Sequence, residues 1–126
     1  MERYRDTSES IEERTKDLLG RMTIDEKIAQ LGSCYSDVLL DDNVFDKEKA
    51  SEILAAGIGQ ISAIGRTSTL GAQELAGLSN NIQKYLIEKT RLGIPAIIHE
   101  ECLSGFRARG ATIFPQNIGL AATWDT

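Results

Sequence analysis

Cysteine is nearly absent from this chain. Cys34 and Cys102 are the only two, far apart and outside any CxxC spacing, so neither a disulfide framework nor a zinc ribbon can be read from them. Both are expected to be free thiols. Long apolar runs are also missing: nothing approaches the roughly 18 residues of a membrane span. The opening stretch MERYRDTSES carries charges where a signal peptide needs an apolar segment. The default expectation is a cytoplasmic location and no membrane partner. Clusters of positive charge are lacking too. Fourteen Lys and Arg against nineteen Asp and Glu leave a net charge of −5, whereas nucleic-acid binders carry their affinity on basic stripes. No nucleic-acid partner is expected, and no short-period internal repeat is visible.

What is present belongs to a globular protein. With 126 residues, 41% hydrophobic and 26% charged, the chain has the length of one ordinary domain, and a domain of that size buries roughly two thirds of its unfolded surface. Ser10 with Glu13 and Thr23 with Glu26 have the spacing of capping boxes, in which hydroxyl and carboxylate satisfy free N–H groups at a helix start. Two short helices are predicted. The first carries Leu18, Leu19 and Met22 inward; the second carries Ile24, Ile28 and Leu31 on one face and stops at Gly32. SDVLLDDNVFDKEK reads as a mixed acidic loop. Asp46 then caps a third helix whose Ala50, Ile53 and Leu54 face inward until Gly57.

IGQISAI, residues 58–64, is short, uncharged and rich in Ile, as suits a strand buried on both faces. A long helix follows from about Leu70 to Leu92, with Leu75, Leu78, Ile82, Tyr85 and Leu86 at steps of three and four and Gly93 as its stop. IPAIIH is a second buried strand, with Pro95 at its start, where a missing ladder donor is tolerated. Helix, strand, helix, strand is the beginning of an α/β fold with a parallel sheet.

The second strand breaks off at His99, and Glu100, Glu101 and Cys102 follow. Consecutive strand residues point to opposite faces, so these four do not converge on a metal unless the backbone turns sharply. Two adjacent carboxylates are also poorly placed as a glycosidase pair, whose members face each other roughly 5 to 10 Å apart. A Cys102–His99 catalytic pair needs a thiolate within reach of the imidazole, which three-residue spacing does not supply. Position says more than residue type, because open α/β sheets and barrels place their ligands at the carboxyl ends of strands. Glu101 lies there. A carboxylate together with the fork of an arginine such as Arg107 or Arg109 can bond several sugar hydroxyls at once. From the residues alone, a solvated loop with surface charges stands beside that reading.

RTKDLLGRMTIDEKIAQL at 14–31, RLGIPAIIHEECLSGF at 91–106 and ATIFPQNIGLAATWD at 111–125 together resemble the N-terminal part of glycoside hydrolase family 3, the β-glucosidases and β-xylosidases. Three motifs in order and register cover nearly the whole chain, with the acidic loop at 33–52 the weakest stretch. The resemblance implies a partial (β/α)8 TIM-type barrel whose first βα units are preceded by N-terminal helices. It further implies that residues 1–126 are an incomplete, N-terminal fragment of a barrel domain, since a whole barrel takes about 250 residues. The implied enzyme is a retaining, exo-acting β-glycosidase that removes terminal β-linked glucose or xylose and needs no cofactor and no metal. Its Asp nucleophile and Glu acid/base lie outside these residues, so the segment contains no catalytic residue of its own.

Within the segment the resemblance assigns sugar-hydroxyl binding to Glu101, where many members carry Asp, and to Arg107, with Gly105 between them. His99 and Glu100 resemble the variant of xylosidase-like members; a supporting role and a sugar contact both stay open for them. TIFPQ looks like a loop-to-helix corner, so Phe114 and Pro115 are structural, and TWDT looks like a fresh helix start with Asp125 as cap. The expected partners are a β-linked oligosaccharide or glycoside, and the rest of the barrel with a second domain or further copies of the fragment. The alternative is a non-catalytic half-barrel that binds a sugar or a partner chain.

Overall fold

In a computed structural model the described residues are 2–125. They form an α/β structure around a three-stranded parallel sheet. A 3-10 turn at Arg3–Arg5 precedes α1 (Ile11–Arg21) and α2 (Ile24–Gln30). Next come β1 (Ser33–Tyr35), a 3-10 turn at Ser36–Leu39, and the short strands β2 (Leu40–Asp41) and β3 (Val44–Phe45). After α3 (Lys47–Ile53) the chain runs through β4 (Gln60–Ser62), α4 (Ala72–Lys89), β5 (Ile97–His99) and α5 (Asn117–Ala121). The sheet order is β1-β4-β5, all parallel, so α3 and α4 lie on the crossovers that parallel pairing requires. No helix among the described residues is long and apolar enough to cross a membrane.

The helix starts form where the capping residues stand. Ser10 accepts from the Glu13 N–H, and Asp46 accepts from Glu48 and Lys49. Thr23 and Glu26 close a full box, each side chain bonded to the other's N–H. At Ser10 only half the box forms, because the Glu13 carboxylate turns to Arg3 instead.

Register assigns each face of the sheet. Cys34, Ile61 and Ile98 pair across the three strands and point at the helices, where Ile61 is fully buried and the other two pack against the core. Leu54, Leu75, Leu78, Ile82 and Leu86 complete that layer, so the apolar stripe read on α4 is the one that packs. On the opposite face lie Ser33, Gln60 and Ile97 at one level and Tyr35, Ser62 and His99 at the next.

Part of that second face corrects the expectation of strands buried on both sides: Gln60 is exposed and Ile97 is 66% exposed, while Ser62, one level on, is buried. The inward faces read for α1 and α2 also need correction, since Leu19, Ile24, Ile28 and Leu31 are exposed, Leu31 at 87%. On α3, Ala50 and Leu54 are buried as read, and Ile53 alone is exposed. The helix α2 turns a different side to the protein. Its Glu26 is buried against Arg91, and its end lies so close to β4 that a Cβ at Gly59 would fall 2.0 Å from the Gln30 carbonyl oxygen. Only glycine permits that contact.

The stretch read as an acidic loop is structured. Leu39 and Leu40 are core residues. The strands β2 and β3 pair antiparallel about Asp42 and Asn43, both at positive φ, 44° and 66°, a conformation that these two side chains tolerate. Phe45 then meets Tyr85 edge to face at 5.7 Å. The strand β1 was not read from the sequence at all. The corner at TIFPQ does lead into α5, whereas the helix start read at Asp125 runs into Thr126, which lies outside the described residues.

Candidate functional site

The carboxyl ends of β4 and β5 open onto a cleft of about 200 Å3, lined by Arg66, Glu100, Glu101, Arg107 and Gln116 among others. Two loops build it. The first leaves β4 through Ala63, whose φ of 62° is rare for a residue with a side chain. Its N–H donates to the His99 carbonyl, which ties this loop to the end of β5. A helical turn follows, in which Thr67 N–H and the Thr67 hydroxyl both donate to the Ala63 carbonyl and the buried Ser36 bonds the same hydroxyl at 2.8 Å.

The second loop, residues 100–110, reverses at Cys102 and Gly105, with φ of 51° and 87°, and the Gly105 N–H closes the turn on the Cys102 carbonyl at 3.0 Å. It is fastened to the first loop at Gly65. The Glu100 carboxylate accepts the Gly65 N–H at 2.5 Å. A Cβ at Gly65 would lie 2.9 Å from both the Arg107 carbonyl oxygen and the Phe106 ring, so glycine is required for the loops to touch. Further on, Arg109 N–H donates to the Leu70 carbonyl and the Arg109 guanidinium grips Glu74 at 2.5 Å. Glu74 also accepts from the Gly71 N–H at the start of α4. That backbone bond and the Arg109 charge hold its carboxyl below the usual range.

These bonds sort the residues singled out in the sequence. Glu101 and Arg107 line the same cleft, are exposed, and among the described residues have no hydrogen-bond or ion-pair partner. Arg109, read as equivalent to Arg107, is instead committed to Glu74. Glu100 accepts the Gly65 N–H through one carboxylate oxygen and also lines the cleft. His99 ends β5 with its buried Nε2 unpaired among the described residues. Phe114 packs on Gly105, and its N–H donates to the Ser104 carbonyl at 2.8 Å. Cys102 is an exposed free thiol; Cys34 is a half-buried one, its pKa raised by burial and by Asp37. The sequence reading missed Arg66, which lines the cleft with its guanidinium carbon 5.1 Å from the centre of the Tyr35 ring. The available signal was its position two residues after Ile64, just past the Ile-rich stretch IGQISAI.

Chemically, the cleft offers an unpaired carboxylate and two guanidinium groups at the carboxyl edge of a parallel sheet. Such a set accepts and donates hydrogen bonds within one small volume, as a polyhydroxy ligand requires.

Residues 23–126 match the model of the glycosyl hydrolase family 3 N-terminal domain. A putative beta-xylosidase of Formosa agariphila is 32% identical over 126 residues, covering 97% of this chain and 16% of that protein. The probable beta-glucosidase C of Aspergillus flavus and the beta-glucosidase C of Emericella nidulans are each 34% identical, covering 97% of this chain and 21% of theirs. The chain thus spans about a fifth or less of the length of these relatives.

Proposed function

We propose that this chain, which belongs to glycosyl hydrolase family 3, supplies part of the sugar-binding site of a retaining, exo-acting β-glycosidase that releases terminal β-linked glucose or xylose. Its three parallel strands are the opening strands of a (β/α)8 barrel, and later strands cover the face that carries Gln60 and Ile97. The nucleophile and the acid/base stand on residues outside this segment. Glu101 and Arg107 bind hydroxyls of the sugar being cleaved, the carboxylate accepting and the guanidinium donating. One observation carries the reading: both side chains line a single cleft at the carboxyl ends of β4 and β5, without partners among the described residues. Ligands of α/β sheets and barrels bind at that edge.

Such bonds serve catalysis when they tighten as the ring flattens toward its oxocarbenium-like transition state. Kinetics of Glu101→Gln in the full-length gene product on aryl β-glycosides test this. A fall in kcat/KM of about ten- to a hundredfold is expected, the value of a charge-assisted bond. Unchanged kcat/KM removes Glu101 from the site, and wild-type protein inactive on every β-glycoside removes the function.

A further inference from the structure

We propose that Arg66 is a third sugar-binding arm of this cleft, donating from its guanidinium to a glycone hydroxyl beside the one that Arg107 serves, and that it helps decide which glycones are accepted. This rests on the glycosidase reading above. Arg66 lines the cleft together with Glu101 and Arg107, and it arrives from a different strand: they follow β5 and it follows β4. No carboxylate pairs with it among the described residues. Its contact is the face of Tyr35, 5.1 Å away, and a guanidinium held over a ring keeps its in-plane N–H donors free for another acceptor.

The backbone that carries Arg66 is fixed before any ligand arrives. The preceding residue, Gly65, donates its N–H to Glu100 and accepts the Ser68 N–H on its carbonyl; the following residue, Thr67, donates its N–H to the Ala63 carbonyl. Tyr35, at the carboxyl end of β1, restrains the side chain from the other side. An arm held at both ends loses less freedom when it grips a ligand.

Hydroxyl chemistry completes the argument. Each sugar hydroxyl donates one hydrogen bond and accepts others. A carboxylate such as Glu101 accepts the hydroxyl's hydrogen bond and leaves the hydroxyl's lone pairs unserved, while arginines on either side supply the missing donors. Two arginines from two strands therefore suit two neighbouring hydroxyls better than one.

The test compares wild type, Arg66→Ala and Arg66→Lys in the full-length gene product. Substrates are an aryl β-glycoside that the enzyme favours and the series of its monodeoxy analogues, with thermal unfolding run alongside. Arg66→Ala should lower kcat/KM on the parent about ten- to a hundredfold, the value of a hydrogen bond to a charged group. On one deoxy analogue wild type and Arg66→Ala should coincide, because the bond is already absent, and Arg66→Lys should fall between. The same factor lost on every analogue would show that Arg66 acts only through the fold, and no loss on the parent would make it a surface residue. Either result overturns the proposal while leaving the glycosidase reading intact. A wild type inactive on all parent glycosides overturns both.

Discussion

The carboxylate of Glu100 accepts the backbone N–H of Gly65 at 2.5 Å, and this bond separates two acidic residues that are adjacent in sequence. Glu100 joins the loops after β4 and β5; Glu101 stays free in the cleft between them. Glu100→Ala should lower the melting temperature, since it leaves the buried Gly65 N–H unpaired at a cost of about 1 to 3 kcal/mol, and Glu100→Gln should recover part of the loss. Glu101→Gln should leave the melting temperature where it is and lower activity. Thermal unfolding and kinetics on the two Gln variants check the division. Equal melting and equal activity would show that it does not exist.

Arg107 and Arg109 divide in the same way. Arg107 lines the cleft, whereas Arg109 is bonded to Glu74. Arg107→Lys should raise KM and lower kcat/KM in the full-length gene product, because a point ammonium does not reproduce a planar fork. Arg109→Lys should leave both near wild type, since its partner pair is exposed on both sides. The reverse ranking of the two variants would move the sugar site to Arg109.

The contact between Glu26 and Arg91 sets a pH dependence. Arg91 makes two bonds to the carboxylate from across the chain, and the Thr23 N–H adds a third. Led by the Arg91 bond, these outweigh burial and lower the Glu26 pKa from 4.5 to about 2. A carboxyl with a depressed folded-state pKa stabilises the fold above its ordinary value, and that contribution is lost as pH falls through the folded one. Wild type should therefore be more stable than Glu26→Gln near neutral pH, with the gap closing between about pH 4.5 and pH 2. Thermal melts of both proteins across that interval measure it, and a gap that widens toward acid contradicts the assignment.

Local chemistry was legible in the sequence where it is self-contained. The capping residues at Ser10, Thr23 and Asp46 start helices because their partners lie within one turn, and the stripe on α4 is buried because it repeats over about three turns, from Leu75 to Leu86. The cleft position of Glu101 was legible because a strand end fixes where the next residues lie, whereas the choice of Arg107 over Arg109 came from the family resemblance alone. Three features escaped for physical reasons. The strand β1 is three residues long, too short to show alternation, and its pairing comes from β4 in the middle of the chain. The β2–β3 hairpin hides in an acidic stretch because Asp42 and Asn43 form its turn. The separation of Glu100 from Glu101, like that of Arg109 from Arg107, depends on Gly65 and Glu74, more than thirty residues away in each case. An apolar periodicity also states only that a face wants cover. On α2 it correctly marks Ile24, Ile28 and Leu31 as one stripe, and nothing among the described residues lies over it.

That uncovered stripe leads to the last prediction. Ile24, Ile28 and Leu31 are 69%, 60% and 87% exposed, Ile97 is 66% exposed on the open sheet face, and Ile118 and Trp124 are exposed near the far end. Among the described residues the outer edges of β1 and β5 are also unpaired, and such edges and apolar faces recruit other chains. Residues 1–126 purified alone should therefore self-associate, bind an apolar dye and melt at low temperature. They should show no glycosidase activity, because the proposed nucleophile and acid/base stand elsewhere. Replacing Ile24, Ile28 and Leu31 together with Ser or Gln should reduce the association without unfolding the core, since all three side chains are largely exposed and none belongs to the buried core cluster. Sedimentation, dye binding and a β-glycoside assay on both proteins measure these outcomes. A monomer that melts cooperatively and hydrolyses the glycoside would show that the chemistry lies within these residues after all.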